Sequence, residues 1–328
     1  MKAFIRATGN ISPQRTCGHP PLLTDIVEPS GDRFTCIEPD YKDIIDPKLI
    51  RRMSRIIRMG AASAMECLKE ANATKPGAII TGTAYGCLED TGQFISKMVE
   101  HREELLTPTA FIQSTHNTIG AQVGLMLQCN SYNNCFVHRG FSFESALLDA
   151  MMLLSEKETD NVLVGAIDEI TPISHDILTR LGLYRNGTVA GEGAAFFLLN
   201  NASSGNDYAA IDGLATFYKP KDIAEVEQKI NAFLSANNIT PKDIDLLITG
   251  DDGDAVNAFK DIPAVGYKRL SGEYPTSTAF ATWLAANILK TGNVPATLKP
   301  SAAGKPSRVL VYNNYIGIHH SLVLLSAC

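Results

Sequence analysis

The residues that could do chemistry in this chain each have a plainer reading beside the reactive one. Cys135 lies inside the strand-like run NCFVH at 134–138, where a thiol serves as a small apolar filler. His138 closes that run; it could act as a base, but a histidine at a strand end is more simply a structural group. Ser142 sits in the first turn of a helical run. A hydroxyl there caps backbone donors, and service as a nucleophile would need a base within hydrogen-bond reach. His319 and His320 are adjacent, so on a strand they point to opposite faces and do not make a metal pair. Asp251, Asp252 and Asp254 crowd one turn. The glutamate that would end a calcium-binding loop is missing, which leaves a turn rich in Asp and Gly. Glu192, in GEGAA, reads as a structural carboxylate that receives backbone amides from the glycine turns.

Short apolar runs alternate with amphipathic ones and must position these groups. The strand-like runs are 78–83, 134–138, 161–166, 194–199, 244–249, 309–313 and 321–326, and the helical stretches are 47–72, 141–155, 222–237 and 276–290. Such alternation implies α/β layering with partly parallel sheets. The polar stretch NNASSGND at 200–207 follows an apolar strand, and the pattern restarts after it. We therefore expect two α/β halves, 1–201 and 202–328, closely packed because no long linker joins them. In the helical stretch, Leu49, Ile50, Met53, Ile56 and Ile57 share one face, and Lys48, Arg51, Arg52, Arg55 and Arg58 line much of the other. The basic stripe could receive an acidic protein or a phosphate; a solvated helix face is the plainer expectation.

Composition narrows the class. The chain has 328 residues, 45% of them hydrophobic and 20% charged, with a net charge of −6. That is too apolar for a disordered chain and long enough for two cores or one fused core. A pI of about 5.7 argues against general nucleic-acid binding. Seven cysteines, none in a CxxC pair, point to reduced thiols in a cytosol rather than a disulfide framework or a zinc site. The start MKAFIRATGNISP lacks an apolar signal core, and no run approaches the length of a spanning helix. A soluble cytoplasmic protein is expected.

Three segments carry a resemblance to a known family. RNGTVAGEGAAFFLL at 185–199 looks like the DGFVxGEGAG segment of β-ketoacyl synthases. RRMSRIIRMGAASAMECLKEA at 51–71 is similar to the arginine-and-methionine helix of that family. PTAFIQSTHNTIGAQVGLML at 108–127, followed by a strand and FESALLDAMMLL at 143–154, resembles the approach to the family's nucleophile turn. GTAYGCLEDT (82–91), VLVGAIDE (162–169) and KRLSGE (268–273) extend the resemblance over most of the chain. It implies a thiolase-like fold, two related α/β halves in a five-layer αβαβα arrangement.

The family's chemistry uses a cysteine at a strand-to-helix turn, activated by the helix N-terminus, and two histidines that promote decarboxylation. Laid over this sequence, the cysteine position falls on Gly140, in VHRGFSFES. The histidine that opens HGTGT falls on Gly250, and the histidine of KSxxGH on Glu273, while Lys268 matches the family lysine. The family's Gly-Phe-Gly-Gly loop is altered to NNYIGIHHSLVL at 313–324. The resemblance thus implies no catalytic residues of the family type, and leaves His116, His138, Arg139, Ser142 and Lys268 as pocket candidates. His116 is open between packing and lining an acyl tunnel. The pattern resembles chain-length-factor proteins, silent paralogues paired with an active ketosynthase, and more narrowly those of aryl-polyene and flexirubin-type pathways. The implied partners are an active ketosynthase or a second copy of the chain, and an acyl carrier protein, with a large apolar interface around residues 108–137. No cofactor and no metal is expected, because the GxG-type turns follow the wrong elements for a dinucleotide. Two other readings stand beside this one. The first is an active 3-oxoacyl-carrier-protein synthase or acyltransferase using relocated groups such as Cys135, Ser142 or His116. The second is a homodimeric protein that binds acyl chains or carrier protein.

Overall fold

Five strands laid down in one order, and then five more in the same order, set the architecture. The computed structural model describes residues 1–104, 106–184, 187–250, 259–298 and 304–328. The first part of the chain forms β1 (Ala3–Ile11), the two-residue β2 (Arg33–Phe34), β3 (Ala78–Gly82), β4 (Tyr132–Phe136), β5 (Asn161–Asp168), the two-residue β6 (Ala190–Gly191) and β7 (Gly193–Asn200). The second part forms β8 (Ala209–Tyr218), β9 (Leu246–Thr249), β10 (Ala264–Gly266), β11 (Arg308–Tyr315) and β12 (His319–Ser326). Setting aside the small β2–β6 pair, the spatial orders are β1-β7-β5-β3-β4 and β8-β12-β11-β9-β10. Counted within its own set, each sheet runs first, fifth, fourth, second, third. The fifth strand is antiparallel to both neighbours in each case, and the fourth, second and third are mutually parallel. The two first strands meet antiparallel, Ala3–Ile5 against Ala209–Ile211.

The helices are α1 (Pro47–Ile50), α2 (Arg55–Glu70), α3 (Leu88–Glu100), α4 (Pro108–Gln113), α5 (Thr118–Leu127), α6 (Ser142–Ser155), α7 (Pro172–Arg180), α8 (Ile223–Ala236), α9 (Lys268–Ser271) and α10 (Thr278–Thr291). α6 packs on β3, β4, β5 and β8, whereas α10 packs on β1, β7 and β8 as well as β9, β11 and β12. Both helices therefore lie between the sheets. Ala279, Ala281, Ala285 and Ala286 are buried on α10; a helix enclosed on all sides is apolar around its circumference, and small residues let both sheets approach it. α2 and α5 cover the outer face of the first sheet, with Ile56, Ile57, Met59, Ile119 and Val123 in the core. α8 covers the outer face of the second with Val226, Ile230, Phe233 and Leu234. The result is the expected five-layer α/β arrangement.

Some boundaries differ from the sequence reading. The expected helix 47–72 is two helices. Asp46 caps α1 at the backbone N–H of Lys48, the chain turns over 51–54, and Ser54 in extended conformation starts α2; serine is a favoured N-cap residue. The break also dismantles the basic stripe. Arg55 turns inward onto Glu192, and Arg58 lies over the Tyr41 ring at 5.6 Å, which leaves Lys48, Arg51 and Arg52 on the exposed side. β4 begins and ends two residues earlier than read, because its outward half, Tyr132 and Asn133, is exposed at the edge of the sheet. β1, which carries polar Arg6, Thr8 and Asn10 between its apolar residues, has no counterpart among the runs read from the sequence. Among the described residues no helix is long and apolar enough to cross a membrane.

Carboxylates are buried where the two sheets face each other. Glu144, in the first turn of α6, is enclosed between the sheets and accepts the Ser321 hydroxyl at 2.6 Å. Burial pushes it up to about 7. Asp168, at the end of β5, is pushed up to about 6 by burial, even though it accepts from Thr83, Ala84, Tyr85 and Thr276. Glu169 is pushed up to about 7, again by burial first. A carboxyl raised on folding holds a proton that the unfolded chain releases, so its stabilising effect is complete below pH 4 and is lost as pH rises through 6–7. The thermal midpoint should fall between pH 5 and pH 8. Glu144→Gln should flatten that fall and raise the midpoint at pH 8 by about 2–5 °C. Differential scanning fluorimetry across this range checks it, and an unchanged pH slope would refute the assignment.

Candidate functional site

The turn before α6 is built by one hydroxyl and closed by two rings. The Ser142 hydroxyl donates to the Arg139 carbonyl at 2.8 Å and accepts the His138 backbone N–H at 2.9 Å. Its bonding is thereby committed to capping the turn, in which Arg139 takes the left-handed conformation at φ 52°. Gly140 is buried at the centre. A Cβ added there would lie 2.7 Å from Cδ1 of Tyr315 and 2.9 Å from Cβ and Cγ of His319. The hairpin of β11 and β12 thus fills the space that a side chain at position 140 would enter. The His319 ring packs edge-on to Phe141 at 4.8 Å and to Tyr218 at 5.2 Å. Burial, then Arg139 and His138, hold its imidazole below the usual histidine range.

A second cluster touches the same hairpin. Lys268 Nζ is 2.7 Å from Glu273 Oε2 and donates to the Asn314 carbonyl, also at 2.7 Å. A Cβ at Gly250 would meet Lys268 Cε at 2.9 Å and Nζ at 3.1 Å, so the lysine stem occupies that space as well. Glu273 is fixed through its backbone: its N–H donates to the Val189 carbonyl, and its carbonyl accepts from Gly191. Gly250, Lys268 and Glu273 are therefore brought together, and the hairpin reaches both this cluster and Gly140.

The remaining candidates are not gathered there. Cys135 donates its thiol to the His116 carbonyl at 3.3 Å, and burial raises its pKa, which opposes the thiolate that a nucleophile requires. His116 is exposed, stands over Gly86, and lines none of the clefts described below. His138 is exposed, with Nδ1 3.1 Å from the Ser145 hydroxyl. His320 faces away from His319: it bonds the Tyr312 hydroxyl at 2.9 Å and stacks on Phe217 at 4.9 Å, and burial pulls it down to about 4. Glu192 is a structural carboxylate, but its backbone donors are Cys36 and Ile170 rather than glycine turns, joined by a two-pronged contact from Arg55. Asp251, Asp252 and Asp254 lie outside the described residues. Among the described residues no three His, Cys, Asp or Glu side chains converge as a metal site.

Sequence reasoning missed a cleft of about 1230 Å³ between α3 and α7. Ile95, Ile173 and Ile177 stand on its walls, and Cys36, Arg55, Tyr85 and Glu169 lie along its lining. A signal was present in VLVGAIDE, where two acids end an unbroken apolar strand, a pattern that buries carboxyls. A smaller groove of about 680 Å³ runs along α4 and α5 and includes Arg52, Ile112 and Leu125.

The repeated five-stranded sheets with two helices between them define a protein of the thiolase-like ketosynthase fold. Residues 37–187 match the beta-ketoacyl synthase N-terminal domain family. Over its whole length the chain is similar to the ishigamide ketosynthase/chain length factor (TM-score 0.79, 15% identity, 99% of that chain covered). It is also similar to the ketosynthase ApeO in complex with its chain length factor ApeC from Xenorhabdus doucetiae (0.78, 15%, 98%). A third similar structure is AntDE:AntF, a type II polyketide-synthase acyl-carrier protein in complex with its ketosynthase bound to the hexaketide (0.77, 15%, 99%). No curated protein sequence matches the chain. The family resemblance read from the motifs is thus supported by the domain match and by the fold.

The steric closure at Gly140 has a measurable consequence. Gly140→Ala should destabilise the protein by about 1–3 kcal/mol, the usual cost of overpacking. Gly140→Cys should form no acyl adduct with an acyl thioester in intact-protein mass spectrometry. Adding Tyr315→Ala to Gly140→Ala should cost less than the sum of the single changes, because the two side chains compete for one space. Additive denaturation free energies would contradict the geometry.

Proposed function

We propose that this chain is a ketosynthase-like subunit without a Cys-His-His set of its own. It pairs with an active β-ketoacyl-carrier-protein synthase and shapes the elongation of an acyl chain carried on acyl carrier protein. The observation that carries this reading is the pairing of a complete ketosynthase fold with a nucleophile position, Gly140, whose space is taken by Tyr315 and His319. Gly250 and Glu273, at the two histidine positions, are engaged with Lys268. The similar structures include ketosynthases solved with a chain length factor or with acyl-carrier protein. In this reading 1–201 is the ketosynthase-like half and 202–328 the shortened second half, consistent with their common strand order. The place is the cytosol and the pathway a fatty-acid or polyketide type, with aryl-polyene assembly as the narrower expectation.

An unpaired edge supports the pairing. Among the described residues β4 has β3 as its one neighbour in the sheet, and exposed edges seek partners. Around it Phe111, Ile112, Leu125, Tyr132, Val137, Leu148 and Met152 are each at least 41% exposed. So many large apolar side chains in one region mark an interaction face. The face extends the apolar region expected at 108–137 onto α6.

Relocated catalysis finds less support, since the Cys135 thiol is raised and the Ser142 hydroxyl is used for capping. Purified alone with malonyl- and acyl-carrier protein, the chain should show no condensation, acyl-enzyme or carbon dioxide release. Co-expressed with an active ketosynthase partner, the chain should co-elute as a heterodimer, and Met152→Glu should weaken that complex at least about tenfold. Turnover by the chain alone would overturn the non-catalytic reading. A homodimer that ignores the ketosynthase would favour the acyl- or carrier-protein-binding alternative.

A further inference from the structure

We propose that the ketosynthase partner sets an aspartate or glutamate against Arg139, on the interaction face beside β4. This rests on the pairing with a ketosynthase and adds the group that the ketosynthase must bring to it.

The face is built from a segment almost without charge. From 106 to 137 the chain has no Asp, Glu, Lys or Arg, and between Arg102 and Lys157 the one Lys or Arg is Arg139. Charged residues are depleted at the core of a protein interface, whereas arginine is enriched there. Arg139 belongs to the face by its surroundings. It follows Val137 and His138, both exposed, and His138 Nδ1 lies 3.1 Å from the Ser145 hydroxyl. Leu148 and Met152, exposed on α6, stand three and seven residues beyond Ser145 and so share its side of the helix.

Nothing in the chain answers the Arg139 charge. The side chain is exposed, and among the described residues its guanidinium has no hydrogen bond and no ion pair. Its charge reaches the His319 imidazole and the Tyr85 hydroxyl, and neither is an anion, since burial lowers the first and raises the second. The carboxylates nearest in sequence are engaged elsewhere. Glu144 is enclosed between the sheets on Ser321, and Asp149 accepts the Tyr132 hydroxyl at 3.1 Å. Arg52, at the groove along α4 and α5, adds a second positive charge from a neighbouring element. An apolar partner surface laid over Arg139 would strip its water and leave the charge uncompensated, which is costly. A partner carboxylate removes that cost, and a guanidinium can hold it through two parallel hydrogen bonds. The Arg139 backbone is left-handed, at φ 52°, where a glycine would be free of strain. An arginine stands there against the local preference.

The test uses the full-length chain and the active ketosynthase co-expressed with it, with dissociation on dilution followed by fluorescence-detected sedimentation. Arg139→Gln removes the charge at similar length and should weaken the complex at least about tenfold; Arg139→Glu should weaken it at least about a hundredfold. The thermal midpoint of each free variant should match that of the wild type, because the side chain has no partner within the chain. Neutralising the ketosynthase's interface carboxylates one at a time should find one whose loss weakens the wild-type complex at least about tenfold and the Arg139→Gln complex less than about twofold. If Arg139→Glu binds as tightly as the wild type while Met152→Glu still weakens the complex, the proposal is overturned and the pairing stands. The same holds if no carboxylate of the ketosynthase couples to Arg139. A wild-type chain that forms no complex with the ketosynthase overturns both. A homodimer dissociated by Arg139→Glu and by Asp149→Lys assigns the acid to a second copy of the chain and likewise overturns the proposal.

Discussion

The contact between the β11–β12 hairpin and the turn before α6 governs the interior of this protein. Gly140 can lie against Tyr315 and His319 because it has no side chain, and the hairpin can in turn hold Lys268 through the Asn314 carbonyl. Lys268 then neutralises Glu273, whose backbone is paired with Val189 and Gly191. Contacts from distant parts of the chain converge on this one hairpin. A side chain larger than hydrogen at 140 would have to displace the Tyr315 ring or the His319 ring, the latter itself packed on Phe141, Tyr218 and Tyr315. Dense interiors transmit such a displacement instead of absorbing it.

Much of the layered fold was legible in the sequence for a physical reason. Strands covered on both faces become unbroken apolar runs, and NVLVGAID, GAAFFLLN and HHSLVLLS stand out for that cause. β1 did not, since Arg6 projects to bond Asp207 while Thr8 and Asn10 are buried between apolar neighbours. The break between α1 and α2 was hidden because Met53, within the turn, is also buried and so preserves the apolar rhythm of a continuous helix. The family resemblance assigned the motif positions of the candidate site to Gly140, Gly250, Lys268 and Glu273. What occupies the space at Gly140 could not, because Tyr315 and His319 come from more than 170 residues further along the chain and local spacing carries no such contact. For Lys268 and Glu273 the separation is short, and their pairing was within reach of a charge-pattern reading.

The carboxylates show how an interior can keep its polar groups while their work changes. Glu273 with Lys268, Glu192 with Arg55, and Asp168 with its four donors each have a built set of partners. Removing one member of a buried charge pair leaves the other uncompensated, at a cost of about 3–5 kcal/mol. That cost makes such pairs hard to lose one residue at a time. Glu144 is different, since one of its oxygens accepts Ser321 and the other takes no hydrogen bond among the described residues, which is the condition of a carboxyl that retains its proton.

Asp168 and Glu169 make the sharpest comparison because they are consecutive, the first ending β5 and the second just past it. Burial raises both, yet donors surround the first and a cleft adjoins the second. Asp168 meets its donors from 83–85 and from Thr276 in the second half of the chain, whereas Glu169, past the end of the strand, lies in the lining of the cleft beside α3 and α7. Asp168 belongs to the scaffold because its partners are complete. Glu169, with the same chemistry and nearly the same burial, lines the cleft between α3 and α7 and accepts the Glu89 N–H.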